Sequence, residues 1–445
     1  MSQSRSTKSA FVVLVFAFSS TFAIADDWPQ WNGPTRDGRT LENGLLARIP
    51  EEGLKLLWEM PVGLGYSGPA VVGNRVYLTD YQMASGKITN NAGSRDKLTG
   101  DERTFCFDAR TGKVLWSHAY DRPYDISYPT GPRVVPTVHE GRVVCLGAEG
   151  DLICFDAFSG EVQWQRSFAK DFNAKTPLWG HSAAPLVYKD SLVCMVGGTG
   201  SLVVVLDLET GKERWRALTS EETGYCSPSM IHAGGVDQLL IWSPELIYSL
   251  NPLDGSIHWQ HELKPGYGMS VLPPVHEGKW LFAGGESDVS TMFELADDRP
   301  AAEPVWNGGA KDSLTLATSA AVFSEGYLYG ADISSGSLTC VRASDGERQW
   351  QTALPTTGSK RGRGGAHGSA FLIKAHRNYW ILSEAGDAIT AELTPEGYKE
   401  TGRFHVIDPL LSTVGRKVLW TYPAISNGRL FVRNDNVLKC YDIGQ

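Results

Sequence analysis

Aromatic, basic and imidazole side chains stand just before several short apolar segments that recur along the chain. A glycine-rich loop, GSKRGRGGAHG (358–368), carries two of the arginines. Guanidinium forks and backbone N–H groups in such a loop bind carboxylates or phosphates. The alternative is that the tyrosines and histidines only fill interior space and bond to backbone carbonyls. The candidate ligand-binding residues are Tyr66, Arg133, Trp179, His181, Tyr225, Arg361, Arg363 and His367.

Patterns for catalysis and metal binding are weaker than this ligand-binding pattern. His181 and His367 lie almost four repeat units apart, and neither has an identifiable carboxylate partner. No Ser-His-Asp order, phosphate loop or pair of catalytic carboxylates stands out. We therefore assign no catalytic residue and no metal ligand from the sequence.

The elements that position these residues come from a repeat that ends in tryptophan. The phrase FDARTGKVLW (107–116) recurs as FDAFSGEVQW (155–164), LDLETGKERW (206–215), LNPLDGSIHW (250–259) and VRASDGERQW (341–350). In each copy, glycine allows the positive φ of a tight hairpin turn, and the flanking residues alternate between two faces. Repeats of about 40 to 50 residues with this content are typical of propeller blades. The repeat tryptophans are Trp58, Trp116, Trp164, Trp215, Trp259, Trp306 and Trp350, with Phe404 in the next position.

Eight short apolar segments predict the innermost strands of eight blades. They are SGPAVV (67–72), VVPTVH (134–139), SAAPLVY (182–188), CSPSMI (226–231), VLPPVH (271–276), TSAAVF (318–323), GSAFLI (368–373) and YPAISN (422–427). The last copy has three strands, and LKLLWEM (54–60) supplies its fourth. The predicted fold is all-β: an eight-bladed β-propeller of four-stranded antiparallel blades, closed when the N-terminal strand joins the last blade. The polar segment 81–103 is expected to be an exposed loop.

The first 25 residues have the composition of a secretory signal peptide. Arg5 and Lys8 precede the apolar run AFVVLVFAF (10–18), and Ala23 to Ala25 supply the small residues of a cleavage site. The run is too short for a stable membrane span, and no later segment is apolar enough for one. We expect an exported, soluble protein, periplasmic or extracellular. Its divisions are a signal peptide (1–25), an N-terminal arm (26–53) and one propeller domain (54–445).

The net charge of the chain limits which partners it can bind, and the placement of its cysteines argues against disulfide bonds. The chain has 41 Lys and Arg against 50 Asp and Glu, a formal net charge of −9. Such a surface repels phosphate backbones and argues against nucleic acid as a partner. The seven cysteines are predicted to be packing residues. Cys145 and Cys154 share one hairpin, but Cys145 should face Ile153, which points the two thiols to opposite faces.

The repeat resembles the tryptophan-docking motif of the pyrroloquinoline quinone (PQQ) propellers, over residues 54–445. The segment DWPQWNGPTRDG (27–38) resembles the opening of exported PQQ-like propellers often seen in planctomycetes, which are described as similar to the outer-membrane assembly factor BamB. The resemblance implies that each repeat Trp packs against its own Thr-Gly turn region and against the neighbouring blade. The motif is more specific for the family than for any activity, because proteins that share a fold can differ in function.

Two functions follow from the resemblance. The first is a non-catalytic binding or scaffold propeller in the cell envelope, which holds a protein or glycan partner or a small-molecule ligand. The alternative is a quinoprotein that oxidises an alcohol or sugar with PQQ and calcium; Trp179 would stack on the quinone, and Arg133, Arg361 or Arg363 would pair with its carboxylates. The sequence lacks the adjacent cysteine pair of the alcohol-oxidising members, and no spacing assigns calcium ligands. It therefore does not demonstrate a cofactor.

Overall fold

The computed structural model describes residues 27–359 and 365–445. Its regular structure is almost entirely β, and eight antiparallel four-stranded units follow one another along the chain. Each unit is a blade, and its strands are lettered a to d in pairing order from the centre outward. The strands are Ala70–Val72, Arg75–Gly86, Asp96–Asp108 and Val114–Asp121 in blade 1; Thr137–His139, Arg142–Leu146, Asp151–Asp156 and Val162–Ser167 in blade 2; Leu186–Tyr188, Ser191–Met195, Val203–Asp207 and Glu213–Ala217 in blade 3; Ser229–Ala233, Val236–Trp242, Leu246–Leu250 and Ile257–Glu262 in blade 4; Val275–Glu277, Trp280–Gly285, Val289–Leu295 and Ala302–Gly308 in blade 5; Val322–Ser324, Tyr327–Asp332, Ser337–Arg342 and Arg348–Thr352 in blade 6; Ala370–Ala375, Asn378–Ser383, Asp387–Thr394 and Gly397–His405 in blade 7; and Ala424–Ser426, Arg429–Arg433, Val437–Asp442 and Lys55–Pro61 in blade 8.

Few elements lie outside the blades. The strand Tyr124–Ile126 adds to strand c of blade 1, Arg39–Thr40 runs parallel to strand a of blade 7, and Ser412–Thr413 pairs with Arg416–Lys417. Helical structure consists of Phe168–Phe172 and the 3-10 turn Gly266–Gly268 among the described residues. In this part of the chain, no helix combines the length and the apolar composition that crossing a bilayer requires.

The a strands begin later than the sequence pattern predicts. In blades 1 to 5 the residue directly before strand a is a proline, and this residue is Pro69, Pro136, Pro185, Pro228 or Pro274. Proline has no N–H to donate to the ladder, so pairing starts after it. The number and order of the innermost strands are nevertheless as predicted.

The N-terminal strand pairs with the last blade, as the sequence predicts. Lys55–Pro61 is strand d of blade 8, and Trp58 lies opposite Cys440 in its register. The a strands of blades 1 and 8 also contact each other. Strands from the two ends of the chain therefore complete one sheet, which leaves no blade with three strands.

The repeat tryptophans join consecutive blades. Trp116 Nε1 donates to the Ala157 carbonyl of blade 2 at 3.1 Å, and a Cβ atom on Gly160 would lie 2.5 Å from the Trp116 ring. The predicted contact with the neighbouring blade is thus confirmed. The contact with the Trp's own turn is wrong at this position, because the glycine of that turn, Gly112, lies against Trp58 of blade 8. The same donation to the following blade joins Trp58 to Ala109, Trp164 to Leu208, Trp306 to Ala343 and Trp350 to Thr394.

Three positions depart from this pattern. Trp215 packs on Gly255 of the next blade, but its indole N–H makes no hydrogen bond to that blade within the described part of the chain. Trp259 donates to Gln238 Oε1 of its own blade at 2.9 Å, because the lengthened turn of blade 5 has no glycine. Phe404 takes the tryptophan's place and packs on Gly53, in the turn before strand d of blade 8. Trp350, by contrast, donates to Thr394 of blade 7 although an added Cβ on the turn glycine Gly397 would meet nothing within 4 Å, so the indole hydrogen bond does not require a glycine contact.

All seven cysteines are buried, in agreement with their predicted packing role. Cys145 lies opposite Ile153 in the blade 2 hairpin, as the sequence register predicts. Burial raises the pKa of the Cys145 and Cys154 thiols to about 12. Both thiols are therefore protonated apolar groups at neutral pH.

The N-terminal arm contacts several blades. Trp28 forms a β-bridge with Val71 of blade 1, and Pro29 accepts a hydrogen bond from Val138 of blade 2. Farther along the arm, Arg36 reaches blade 3 and Arg39 reaches blades 5 and 6. Val71, Val138 and Phe323 lie within their a strands, and Ala184 and Pro185 directly precede strand a of blade 3, so the arm runs along the innermost strands of the blades.

Candidate functional site

A cavity of about 760 Å³ occupies the channel where the a strands begin. Five of the predicted site residues line it: Tyr66, Arg133, Trp179, Tyr225 and His367. His181 is not among the lining residues, and Arg361 and Arg363 lie outside the described residues. A volume of this size is typical of small-molecule and peptide side-chain sites. We call this cavity the cup.

Eight aromatic side chains line the cup. Besides the predicted rings, the sequence analysis missed five others, which come from the N-terminal arm and from the segments between blades. Tyr422 stands two residues before strand a of blade 8, so the repeat position signalled it; Trp31 lies in the arm, and no sequence feature placed it in the channel. The eight described aromatic side chains of the cup are Trp31, Tyr66, Tyr128, Trp179, Tyr225, Tyr267, Trp420 and Tyr422.

The floor of the cup is built by the N-terminal arm. The Trp31 ring meets Tyr422 edge-on at 5.4 Å between centroids, and the Arg36 guanidinium lies over the Trp31 ring at 5.6 Å. Arg36 also donates to the carbonyls of Ala184 and Pro185 at 3.0 Å each, from a backbone with φ of +61°. Burial lowers the Arg36 pKa to about 10. Carbonyls and an indole face thus hold a buried cation without a carboxylate contact.

Arg133 is committed to the backbone. Its guanidinium donates to four carbonyls, those of Ser127, Tyr128, Gly131 and Trp179. Arginine has five N–H donors, so one remains for a ligand. Its charge also lies over the Tyr66 ring at 5.4 Å, and burial lowers its pKa. Arg133 therefore mainly holds together segment 127–131 and Trp179 at the edge of the cup, and it cannot bind an anion through two parallel N–H groups.

The segment 81–103 is a long hairpin rather than the expected loop. Strands b and c of blade 1 extend through most of it and pair from Arg75 to Gly86, because alternate side chains such as Leu98 and Tyr81 are buried. Its tip leans over the cup: Ala92 and Gly93 line the cavity, and the Ala92 carbonyl accepts from Trp179 Nε1 at 2.9 Å. The hairpin thereby fixes the Trp179 ring, which lies 5.2 Å from Tyr225.

Two carboxylates line the cup, Glu222 and Glu286. Glu286 follows strand b of blade 5, and its Oε2 is buried without a hydrogen-bond partner among the described residues. Burial raises the pKa of the Glu286 carboxyl group. A buried carboxylate oxygen without a donor is costly, and a bound group that brings an N–H or O–H would satisfy it.

Three of the cup's rings stand on strained backbone. Tyr128, Tyr267 and His367 have φ values of +49°, +57° and +60°, a region that bulky residues rarely adopt. Tyr267 is also 84% exposed at the cup mouth. Burial lowers the pKa of His367, with a further lowering from Arg416, so its imidazole is neutral at pH 7. Strain of this kind gathers at ligand-binding sites, where the surrounding structure maintains it.

His181 lies behind the cup wall. Its ring is 4% exposed and meets Phe168 edge-on at 5.2 Å, and its backbone N–H donates to the Ala148 carbonyl. Burial lowers the pKa of its imidazole to about 4. The structure therefore gives His181 the interior-filling role that the sequence analysis left open as an alternative.

We expect the burial of His181 to lower the free energy of unfolding at acidic pH. Its pKa is about 4 in the folded chain and about 6.5 when unfolded, so between these values the unfolded chain binds more protons. The free energy of unfolding should fall by about 3 kcal/mol from this residue as the pH drops from 7 to 4. Denaturant unfolding at several pH values measures it. His181→Gln should flatten this dependence, and His139→Gln, at the end of strand a of blade 2, should not. Equal slopes for both variants would contradict the assignment.

PQQ with calcium would require side chains at the cup that bind its carboxylates and the metal ion. The carboxylates of PQQ need cationic partners, whereas Arg133 has one N–H to offer and Glu222 and Glu286 are anionic. Within residues 27–359 and 365–445, no group of three or more His, Cys, Asp or Glu side chains can hold a metal ion. These donors do not fit a calcium-bound quinone carboxylate.

Fold and cavity together define an eight-bladed β-propeller with a ligand-sized cup in its channel. A family model described as outer membrane protein assembly factor BamB matches residues 42–221 and 100–352, and the chain belongs to this family. No curated protein matches the chain.

Solved structures share the fold at low identity. BamB from Moraxella catarrhalis is 14% identical with a TM-score of 0.54, over 87% of this chain and 99% of that one. A europium-containing methanol dehydrogenase is 14% identical with a TM-score of 0.56, over 86% of each chain. A quinohemoprotein alcohol dehydrogenase from Pseudomonas putida HK5 is 12% identical with a TM-score of 0.55, over 94% of this chain and 80% of that one. The neighbours thus include both assembly factors and enzymes, and the fold does not choose between them.

Proposed function

We propose that this chain is an exported binding propeller of the cell envelope, which uses the cup to hold part of a protein partner and catalyses no reaction. The observation that carries the proposal is the make-up of the cup: eight aromatic rings surround about 760 Å³, and the guanidinium of Arg133 is already bound to carbonyls. Aromatic anchors with a polar rim are typical of protein recognition sites.

Family membership and the N-terminal sequence support the same proposal. The BamB name of the family favours a role in envelope assembly. The signal-peptide composition of residues 1–25 favours export, although those residues lie outside the described part of the chain. A glycan is the other partner class that an aromatic cup would suit.

A quinoprotein dehydrogenase is the second candidate, and one observation favours it. The Trp179 and Tyr225 rings lie 5.2 Å apart at the cup mouth and offer stacking faces to a flat ligand. The hydrogen-bond donors and charged groups of the described cup residues do not suit the carboxylates of PQQ. This candidate predicts tight binding of PQQ, which the binding proposal does not.

Titration of the purified protein with PQQ, with and without calcium, separates the two candidates. We expect no binding at micromolar concentrations in calorimetry, because the cup offers one free guanidinium N–H and two carboxylates to a polyanion. Micromolar binding that weakens in Trp179→Ala or Arg361→Ala would overturn the proposal. It would instead support alcohol or sugar oxidation.

Site-specific photocrosslinking tests partner binding at the cup mouth. A photoreactive amino acid at Tyr267, 84% exposed, should give a discrete protein adduct in the native host; one at Leu253, 68% exposed on an outer turn of blade 4, should not. The adduct should disappear when Tyr225→Leu alters the cup wall. An adduct of equal yield at both positions, or one that survives Tyr225→Leu, would contradict binding through the cup.

A further inference from the structure

The cup has an electrostatic character that selects among ligands. Its charged described residues are Arg133, whose charge is spread over four carbonyls, and the carboxylates Glu222 and Glu286. His367 is neutral at pH 7 because burial lowers its pKa. The whole chain carries a formal net charge of −9. A cationic ligand is therefore attracted over long range and meets little opposing charge from the described residues of the wall.

The wall itself suits a cation with an apolar body. The faces of Trp and Tyr rings carry negative potential and bind ammonium and guanidinium groups. Arg36 over Trp31 and Arg133 over Tyr66 already use two of the cup's rings in this way. The other aromatic rings of the cup, among them Trp179, Tyr225 and Tyr267, have no Lys or Arg side chain over their faces within the described part of the chain.

Glu286 supplies the matching anion. Its Oε2 is buried and lacks a donor among the described residues, while Oε1 is 3.5 Å from Ser287 Oγ. A ligand that brings an N–H to Oε2 would satisfy this atom, and a cationic donor would do so most strongly. Aromatic faces beside a buried carboxylate are the usual means of recognising organic cations.

We propose that the cup binds an organic cation, an alkylammonium or guanidinium group, with its charge at Glu286 and its apolar body against the aromatic wall. The inference rests on the proposed binding function and names its ligand class. The cation is either a free small molecule or the Lys or Arg side chain of a protein partner. Both sources share this chemistry, and the experiment below separates them.

The test compares probes of equal shape and different charge on the purified protein. Choline is set against its neutral isostere 3,3-dimethyl-1-butanol, and butylammonium against butanol and butyrate, by calorimetry or saturation-transfer NMR. We expect each cation to bind roughly tenfold or more tightly than its neutral isostere, the size of a partly desolvated cation–aromatic contact with an ion pair. Tighter binding of a Gly-Lys-Gly or Gly-Arg-Gly amide than of butylammonium would assign the cation to a protein partner, and the reverse order to a free ligand.

Matched variants locate the cation. Glu286→Gln should weaken butylammonium, whose N–H groups can reach Oε2, roughly tenfold and leave butanol unchanged. The control is Glu294→Gln, on the same blade but in an ion pair with Lys279 at 2.7 Å outside the cup, and it should change neither. Equal binding of cation and isostere, or tighter binding of methyl glucoside or butyrate, would overturn the cation class while the cup remains a binding site. Binding of no probe would overturn both the ligand class and the use of the cup.

Discussion

Replacing Arg433 by methionine is expected to destabilise the protein by about 3 kcal/mol or more. The side chain is fully buried at the junction of blades 8 and 1. Its guanidinium donates to the carbonyls of Asn434 in blade 8, Thr79 in blade 1 and Gly63 in the segment between them. Methionine fills similar volume but donates nothing, so these buried carbonyls lose a donor. Denaturant unfolding measures the loss.

The position of the damage distinguishes this role from general loss of packing. Hydrogen exchange in Arg433→Met should rise first in the strands of blade 8, including Lys55–Pro61, since these strands are held to blade 1 at this junction. Arg429→Met is the control, because Arg429 begins the same strand and is only partly buried. Uniform exchange across all blades, or equal destabilisation by both variants, would show that Arg433 does not hold the ring closed.

Gly160→Ala is the second substitution with a large expected effect, about 2 to 5 kcal/mol. Gly160 has a φ of +75°, which alanine adopts at a cost of about 1–2 kcal/mol. In addition, its new Cβ would lie 2.5 Å from the Trp116 ring, which would have to move away from the Ala157 carbonyl. Thermal or denaturant unfolding measures the sum of both effects.

A glycine in the same blade separates the two contributions. Gly141 has a φ of +76°, and the nearest atom to its added Cβ is on Phe158 at 4.0 Å. Gly141→Ala should therefore show the backbone strain alone and be the milder change by about 1–3 kcal/mol. If both variants lose the same stability, the docking of Trp116 on the next blade contributes nothing measurable.

The sequence repeat explains why the propeller fold could be predicted, and its degenerate copies explain which contacts could not. Most copies combine a turn glycine, an alternating strand and a terminal Trp, and repetition of this unit at a spacing of about 40 to 50 residues predicts propeller blades. The turn of blade 5 shows the limit: it lost its glycine, and Trp259 found Gln238 in its own blade instead. The pairing partner of an indole depends on the next repeat, which one copy by itself does not contain.

The position of a residue in the repeat predicted whether it lies near the channel, but it did not predict what its side chain contacts there. Tyr66, Trp179 and Tyr225 line the cup as their places before the a strands predict. His181 occupies a similar place, yet its ring lies behind the wall, because each position points either into the channel or between blades according to its neighbours. Arg133 lines the cup, but only the folded chain reveals the four carbonyls that occupy its guanidinium.

The sequence by itself determined the all-β class, the eight blades, the joining of Lys55–Pro61 to the last blade and the packing role of the cysteines. These features rest on local turn chemistry and on strand alternation, which are written in short stretches of chain. Only the tertiary structure decided that Trp31 of the arm becomes the floor of the cup, that the hairpin 81–103 leans over its mouth, and that Glu286 Oε2 is left without a donor. Those features join segments hundreds of residues apart, and contacts of that kind are fixed by how the blades close around the channel.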